Sequence, residues 1–425
     1  MKKILSTALA ILSVLGLTAC GEKTDSKTSD SRSGEIETSD TTIERKTFAP
    51  IEVTDNNVLN SVRVFDTMYE GKTQAMFSPL SLNMCLGMLE AGAAGETKTA
   101  LDNYLGSTDY ASFAADYMEH AKDFNYKSTG AAKYKNVFEL ANSLWAGEGY
   151  PISKEYKKKI SDNFSAELDS VDFLKPEKAA EKINGWVDDK THKMIPTIVT
   201  PEQLTPDTAA VLVNTVYFES AWSGEWMVPK EKEKFKNADG STVDTELMVN
   251  GGRIYYENKN ASAFSLGYKN GMRFIGILPK NEGDFTLESL DIESLLKSKT
   301  DEYDVTMKMP KLDFKSDFPL TDALKAAGLS DIFDETNADF SPMQESADEH
   351  FYVSEVIQKT KLELDEEGTR AAAVTAAIMA ENGAAPMPEE REKKEVFLNR
   401  PFAFLIYDGE ADQIVFMGKV TAIDN

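Results

Sequence analysis

The feature that most constrains the fold of this chain is the apolar run TAAVLVNTVYF at residues 208–218. Aliphatic, β-branched and aromatic residues follow one another here without alternating with charged residues. A half-exposed strand would alternate apolar and polar side chains, so a continuous run is typical of a strand that is covered on both faces. The sequence therefore predicts a β-sheet whose central strand lies between two other layers.

Helices are predicted mainly in the first half of the chain and strands mainly in the second. One helix follows the cap candidates Thr54-Asp55, and a second begins at Ser78-Pro79 with apolar residues on nearly every side, which makes Cys85 a buried, unreactive thiol. Two further helices are predicted at 178–193 and 319–327, and six further strands at 137–145, 272–279, 303–309, 351–364, 402–407 and 413–420. Because strict β-α-β alternation is missing, the pattern favours an α+β fold with mixed sheets.

Charge and the scarcity of reactive residues exclude several classes of function. Acidic side chains outnumber basic ones by 71 to 46, and this balance argues against a nucleic-acid partner, which needs clustered Lys and Arg. With two cysteines, the chain has no Cys-rich zinc site and no disulfide framework. Its three histidines lie far apart, and HExxH, GxSxG and Walker lysine motifs are missing. We therefore predict a protein that is not an enzyme and that needs no metal ion or cofactor.

The first fifty residues are typical of a targeting segment followed by a spacer. Lys2 and Lys3 precede an apolar run over 4–17, and small residues then lead to Cys20. This pattern resembles a bacterial lipoprotein signal, with residues 1–19 removed and Cys20 acylated; an ordinary secretory signal with a chance cysteine is the alternative. Residues 20–50 are rich in Ser, Thr and Asp and predict a disordered tether, which leaves 51–425 as the folded domain. We expect a lipid-anchored protein at the bacterial cell surface or outside the cell.

Residues 361–395 do not follow the pattern of ordinary structure. KLELD at 361–365 alternates as a strand, and Gly368, a run of small residues and the proline-bearing stretch 381–395 come after it. Because alanine is the best helix former, one interpretation is a surface helix or a flexible linker. In an extended chain, however, one face would be small almost throughout: Thr369, Ala371, Ala373, Thr375, Ala377 and Met379. Such a segment could lie outside as a loop or enter a sheet as a strand.

Several motifs, in the same order along the chain, resemble the serpin family. EEGTRAAAVTAA at 366–377 is similar to the serpin hinge, and FSPLSLNMCLGMLEAGAAGETKTAL at 77–101 to an early helical segment. LVNTVYFESAW at 212–222 is similar to the central strand and the turn after it. NADFS at 337–341, NRPFAFLIYD at 399–408 and QIVFMGKV at 413–420 resemble the closing pieces, so that the resemblance covers about 370 residues.

The resemblance implies a serpin fold with three mixed or antiparallel β-sheets, about eight to nine helices and an exposed reactive-centre loop within 366–395. Ser78, Ser81 and Asn214 then fall in the shutter, a polar cluster beneath the main sheet whose hydrogen bonds would break when the sheet opens. Gln358 stands where the family usually has a histidine, so we expect mild acid to affect the opening little. Trp222 matches the breach, the top of the sheet where insertion begins.

The function implied by this resemblance is suicide inhibition of serine proteases. A protease would cut the loop and form an acyl-enzyme, and the upstream part of the loop would insert into the main sheet, which traps a covalent 1:1 complex with a monomeric inhibitor. The hinge comprises Glu366, Glu367, Gly368, Thr369, Arg370, Ala371, Ala372, Ala373, Val374 and Thr375. The lack of charge and proline over 371–377 favours an inhibitory member over one that acts as a protease substrate, carrier or chaperone.

Two placements of the reactive bond are open. Counting seventeen residues from Glu366 places the bond between Asn382 and Gly383, although asparagine suits few serine-protease pockets. The alternative is the bond at Met379, Ala380 or Glu381, whose apolar neighbours fit an elastase-like protease. Outside the family, a solute-binding lipoprotein would fit the lipid signal but not the element pattern, and an enzyme is disfavoured by the missing catalytic motifs.

Overall fold

The computed structural model describes residues 9–20, 50–125, 136–148, 150–206, 208–345, 350–369 and 391–423. The α-helices in these ranges are α1 Asn57–Tyr69, α2 Pro79–Glu90, α3 Gly95–Leu105, α4 Tyr110–His120, α5 Lys154–Phe164, α6 Pro176–Lys190, α7 Ile292–Lys297 and α8 Thr321–Leu324. The predicted helices at 178–193 and 319–327 correspond to α6 and to α8 with the π-turn Lys325–Leu329 that comes after it.

Three sheets of more than two strands organise the described residues. The main sheet contains β1 Leu9–Cys20, β3 Val137–Gly147, β4 Glu167–Val171, β5 Thr208–Ala221, β13 Leu312–Pro319, β14 His350–Leu364 and β15 Gly368–Thr369. The second contains β2 Gln74–Phe77, β9 Tyr255–Glu257, β10 Ala261–Gly267, β11 Arg273–Pro279, β17 Phe402–Asp408 and β18 Gln413–Val420. The third contains β8 Leu247–Gly252, β12 Asp304–Pro310 and β16 Lys393–Phe397, and a separate hairpin pairs β6 Glu233–Lys236 with β7 Thr242–Thr245.

The order of strands in the main sheet is β13-β14-β1-β5-β3-β4, with β15 paired to the end of β5. β3 pairs with β4 in parallel, and β12 pairs with β16 in parallel, whereas the second sheet is antiparallel along its whole order. The α+β prediction with three mixed or antiparallel sheets and about eight helices is therefore confirmed, with the β6–β7 hairpin as an addition.

β5 is the central strand that the sequence predicted, because all fourteen of its residues are buried. Its two faces pack against different layers. Ala210, Leu212, Val216 and Phe218 belong to the large core that includes α2, whereas Val211, Val213 and Tyr217 belong to a smaller core with α6. We call these the α2 face and the α6 face of the main sheet.

α2 lies beneath the main sheet and is buried along its whole length, as predicted. Ser78 caps its N-terminus by accepting a hydrogen bond from Ser81 N at 3.0 Å, and Pro79 occupies the first turn, where its missing N–H costs nothing. Cys85 on this helix is fully buried, and burial raises the pKa of its thiol far above the ordinary range. The structure thus supports an unreactive structural thiol at this position.

Three local differences from the sequence analysis concern boundaries and the N-terminus. The cap of α1 is Asn56, whose side chain accepts from Leu59 N at 3.0 Å, rather than Thr54 or Asp55. β16 begins at Lys393 rather than near Val396, so the last residues assigned to the loop belong to a strand paired with β12. β1 was not expected: residues 9–20 of the predicted signal and its cysteine form a strand of the main sheet, between β5 and β14.

Candidate functional site: the slot between β5 and β14

The candidate site is the position in the main sheet between β5 and β14, which we call the slot. β1 fills it and runs antiparallel to both neighbours. β5 and β14 therefore run in the same direction, and any strand placed between them must run the opposite way to satisfy both ladders. Because β14 leads directly into the hinge segment, the chain after β14 has the direction that the slot requires.

The hinge segment already enters the top of the slot. Gly368 pairs with Ala221 and Thr369 with Ser220, both on β5 and in the antiparallel sense. Gly368 has a φ of +143°, and a Cβ added there would lie 2.6 Å from Ala221 Cα and 2.7 Å from Ser220 O. This close approach requires glycine, because any side chain would displace the hinge from β5.

Trp222 joins the ends of β5 and β14 above this entry point. Its indole Nε1–H donates to the carbonyl oxygen of Asp365 at 2.9 Å. The ring stacks on Tyr268, with centroids 4.4 Å apart and planes at 15°, and meets Phe274 edge-on. The position that the resemblance assigns to the breach is thus a buried aromatic cluster with a side-chain and a backbone hydrogen bond to the turn after β14.

Lys311 pairs at the hinge with Glu366, the middle one of three consecutive carboxylates, and with Glu246. Lys311 Nζ lies 2.7 Å from Glu366 and 3.6 Å from Glu246. Burial raises the pKa of Glu366, whereas the hydrogen bond and charge of Lys311 lower it, and the net direction is downward. For Glu367, burial and then the charges of Asp365 and Glu366 raise the pKa. Lys311 therefore stabilises the ionised form of Glu366. The ionised forms of Asp365 and Glu367, on either side of Glu366, are disfavoured by burial and by the neighbouring negative charges.

The predicted shutter residues form two separate groups. Ser78 N donates to Gln358 Oε1 at 2.8 Å, Gln358 Nε2 donates to Ser78 O at 3.1 Å, and Ser78 Oγ donates to Val415 O at 2.7 Å. These bonds connect β14 to the start of α2 and, through Val415, to β18. Glutamine supplies the donor and the acceptor at once, without a group that titrates near neutral pH.

Asn214 belongs to the other group, on β5. Its Nδ2 donates to Asn142 Oδ1 at 2.7 Å, and Asn142 Nδ2 donates to Phe164 O at 2.7 Å, so the pair connects β5 to β3 and to the end of α5. Asn214 Oδ1 is buried and accepts no hydrogen bond from any residue that the structure describes. An orphaned buried acceptor costs about 1–3 kcal/mol, which makes this atom a site where a new donor would be stabilising.

These bonds do not cross the slot. The described side-chain bonds of Ser78 and Gln358 hold β14, and those of Asn214 and Asn142 hold β5. Bonds between the two flanks lie at the top, at Trp222 and the hinge, and at the lower end, where Gln203 before β5 donates to Glu355 of β14 at 2.8 Å. Because β1 already separates β5 from β14 in this structure, the expectation that shutter bonds break when the sheet opens stays a prediction. Each flank keeps its own support.

Most of the predicted loop residues lie outside the described residues. The hinge positions Arg370, Ala371, Ala372, Ala373, Val374 and Thr375 and both placements of the reactive bond, at Met379, Ala380 and Glu381 or at Asn382 and Gly383, are among them. Cys20 is the last residue of β1, and its backbone lies opposite that of His350 on β14.

Lys311, Glu246 and Asn142 are site residues that the sequence analysis missed. Lys311 stands between the last residue of β12 and the first residue of β13, where nothing in a single sequence separates it from the other lysines. Asn142 could have been noticed as an amide inside the predicted strand over 137–145, because a buried amide in a strand needs a partner.

Other reactive groups in the described part of the chain are dispersed. His120 Nε2 lies 2.9 Å from Asp408, and His192 Nε2 lies 3.1 Å from Glu139, so each of these two histidines has a carboxylate partner. The described residues contain no cluster of three or more His, Cys, Asp or Glu that could hold a metal ion. Among the same residues, no helix has the length and apolar character needed to cross a bilayer.

Comparison with known proteins places this geometry in a family. Residues 56–423 match the family model described as Serpin (serine protease inhibitor). A serpin-like protein of Thermococcus kodakarensis is 32% identical over 380 residues, which cover 86% of this chain and 84% of that protein. Iripin-8 of Ixodes ricinus is 30% identical over 372 residues, covering 83% and 89%, and human neuroserpin is 27% identical over 360 residues, covering 81% and 85%.

Solved structures agree with the sequence comparisons. The crystal structure of the thermophilic serpin tengpin in its native state superposes with a TM-score of 0.72 at 27% identity, over 90% of this chain and 98% of that one. The latent state of tengpin gives a TM-score of 0.70 at 26% identity, over 87% and 97%. Because the family model spans most of the chain and the fold agrees over the same region, the protein belongs to the serpin family.

Proposed function

We propose that this serpin is a suicide inhibitor of serine proteases, and that it traps the acyl-enzyme by inserting the loop from residue 370 up to the cleaved bond into the slot. Serpins are generally protease inhibitors rather than enzymes, so the family supports the coarse function. The observation that carries the finer proposal is the pairing of Gly368 and Thr369 with β5 at the head of the slot. The hinge already lies on the path that insertion would take.

The register of β15 gives each inserted residue a partner. Thr369 lies opposite Ser220, so a strand continued without a bulge would place Ala371 opposite Phe218 and Ala373 opposite Val216. Thr375 would then lie opposite Asn214. Directly paired residues of antiparallel strands share one face of the sheet. These odd-numbered loop residues would therefore lie on the α2 face, together with the even-numbered residues of β5.

The composition of the loop suits that face. Phe218, Val216 and α2 are fully buried, so the α2 face offers no solvent to an inserted charge. Small apolar residues can enter without unpaired charges and with little steric obstruction. The Thr375 hydroxyl would approach Oδ1 of Asn214 and could donate the hydrogen bond that this atom lacks among the described residues. Thr375, a polar residue in a run of small apolar ones, would thus be placed next to the unpaired Asn214 Oδ1 acceptor.

Insertion would be strongly favourable and slow to begin. The nine residues 371–379 would each gain ladder hydrogen bonds at about 0.5–1.5 kcal/mol, on the order of 10 kcal/mol before the entropy of ordering is subtracted. The native state would then be kinetically trapped, because entry requires the top contacts of Trp222 and the hinge to rearrange. After cleavage, the acylated protease would be carried with the inserted strand, and distortion of its active site would prevent deacylation.

An elastase-like protease is the proposed target, with cleavage within residues 379–383. Apolar residues of small and medium size around Ile378 and Met379 suit a shallow apolar pocket, whereas Asn382 does not suit the common pockets. The chain would act as a monomer in a covalent 1:1 complex. Anchoring through a lipid on Cys20 at the bacterial surface is the proposed location, and Cys20→Ser should release the protein from membranes if that anchor is used.

The deciding experiment combines the chain with elastase-, trypsin- and chymotrypsin-like proteases. Inhibition predicts a 1:1 complex that survives boiling in detergent and a released C-terminal fragment whose first residue lies from 380 to 383. Cleavage without a stable complex would support a non-inhibitory serpin instead. A fragment that begins at Lys393 or later would contradict the proposed placement of the reactive bond.

A further inference from the structure

We propose that the uncleaved N-terminal segment Leu9–Cys20 is a strand ligand for the slot of its own chain, so that the precursor is held inactive until cleavage before Cys20 removes residues 9–19. The segment occupies the slot as β1, between β5 and β14. The inactivity of the precursor rests on the proposed inhibitory function, whereas occupancy of the slot does not.

β1 pairs with β14 from Ala10 to Cys20 and with β5 from Leu9 to Thr18. Val14, at its centre, lies opposite Val213 on β5 and Ile357 on β14. At the lower end, Cys20 lies opposite His350. The ladders shift register once on each side, between Gly16 and Leu17 toward β14 and between Leu17 and Thr18 toward β5, where a bulge accommodates one extra residue. A strand paired on both edges has no unsatisfied backbone to expose to solvent.

β1 occupies the positions that the loop would need. Residues 9–17 lie opposite residues 218–210 of β5. A continuation of β15 in its observed register would place residues 371–379 opposite the same nine residues. Leu9 and Ala371 therefore compete for Phe218, and Leu17 and Met379 compete for Ala210. The two segments cannot be in the slot together.

The two segments meet end to end in the structure. Thr369 of β15 lies opposite Ser220, and Leu9 of β1 lies opposite Phe218, so only Glu219 separates the two partners on β5. The chain after Thr369 thus finds the slot filled one residue further on. Insertion cannot proceed until β1 leaves.

The sequence of β1 suits this role. LAILSVLGLTAC contains no charge and no proline, and its continuous apolar character is typical of a strand covered on both faces. The flanking residues Val213 and Leu212 are fully buried, so the slot is an apolar environment. While the segment is attached, it competes for the slot as part of the same chain, and cleavage before Cys20 abolishes this advantage.

Occupancy is tested by a disulfide that uses the natural Cys20. Directly opposite residues in an antiparallel pair have Cα atoms about 4.5–5.5 Å apart, which lies within the range for a disulfide. His350→Cys in the full-length chain, made by cell-free synthesis without membranes so that no signal peptidase acts, should therefore form a Cys20 bond under mild oxidation. The fully buried Cys85 is the remaining cysteine and should stay free. The readout is the linked peptide by mass spectrometry.

Lys359→Cys is the matched control. Lys359 is also on β14 but lies opposite Leu12, eight residues from Cys20, which is about 26 Å along a strand. Linkage at His350→Cys but not at Lys359→Cys supports the proposal. Equal linkage at both positions, or none at His350→Cys, would overturn it.

The consequence for activity is tested by a proline at the centre of β1. Val14→Pro removes a ladder N–H from a strand that is paired on both sides and should expel it, whereas Thr28→Pro, outside the strand, should not. If β1 fills the slot in ~99% of molecules, the full-length chain should inhibit ~100-fold more slowly than the Val14→Pro variant. Equal rates for all three chains would refute the inactive precursor. If Cys20 links to His350→Cys but Val14→Pro forms no complex with any protease, occupancy stands and the proposed inhibitory function fails.

Discussion

Moving one positive charge by a single residue should convert this protein from an inhibitor into a substrate. Arg370 would lie opposite Glu219 on insertion, on the α6 face, whereas Ala371 would lie opposite Phe218 on the α2 face. The double variant Arg370→Ala with Ala371→Arg has the same composition as the wild type. It moves the guanidinium from a position with an acidic partner to one with none.

The size of the effect can be worked out from the burial of the α2 face. Phe218 has no exposed surface, and the helix beneath it is buried along all twelve residues. An unpaired charge in such a place costs about 4 kcal/mol, even after relaxation. Insertion begins at this end of the loop, so most of that cost should fall on its barrier, and the rate should drop about 10³-fold. Deacylation would then outrun trapping.

The assay is the stoichiometry of inhibition of an elastase-like protease by the processed chain, with complex and cleaved product resolved on a denaturing gel. Arg370→Ala alone is the control, because it removes the charge without moving it to the α2 face. Glu219 keeps the hydrogen bond that the Tyr217 hydroxyl donates to it, so the complex yield should stay close to that of the wild type. We expect the double variant to give cleaved product almost entirely. Equal complex yields for the double variant and the wild type would refute the assigned register.

Three further predictions concern other parts of the molecule. Thr375→Val should slow trapping, since it leaves the Asn214 Oδ1 acceptor unpaired at a cost of about 1–3 kcal/mol, while Thr375→Ser should not; equal complex yields would refute the pairing. Burial raises the pKa of Asp66 to about 6, so the folded state holds this proton more tightly than the unfolded state, and stability should fall on the order of 2 kcal/mol as the pH rises from about 4 to 6. Thermal midpoints of Asp66→Asn should lack this fall. Gln358→His cannot keep both bonds to Ser78 when protonated, so trapping by this variant should vary with pH between 5 and 7, whereas wild-type trapping should stay constant.

Sequence reasoning predicted correctly those elements whose residue pattern is compatible with only one structural environment. β5 was predictable because a continuous apolar run has few alternatives to a doubly covered strand, and the structure buries all of it. The start of α2 was predictable because a serine followed by proline fits the first turn of a helix and little else. The order of several motifs then indicated the serpin fold, which the comparisons confirm.

The parts that sequence reasoning missed depend on contacts between distant residues. Lys311 is important because Glu366, 55 positions away, folds back onto it, and no local pattern encodes that approach. Ser78 and Asn214 were assigned to one cluster, but the side chains they contact belong to different flanks of the slot. β1 was missed for a different reason: an apolar run after two lysines has the composition of a signal segment, and the same composition suits a strand in a sheet.

The separate anchoring of β5 and β14 has a mechanical consequence. Because β5 and β14 each have their own hydrogen bonds to the surrounding helices and strands, the two strands can separate along the slot without breaking those bonds. Among the described residues, side-chain bonds that cross the slot lie at its top, from Trp222 to Asp365, and at its lower end, from Gln203 to Glu355. Weakening the bond at the top, for example with Trp222→Phe, should therefore let β5 and β14 begin to separate more easily while leaving the rigidity of each half of the sheet unchanged. The ease of this first separation should determine how long the unreacted inhibitor survives.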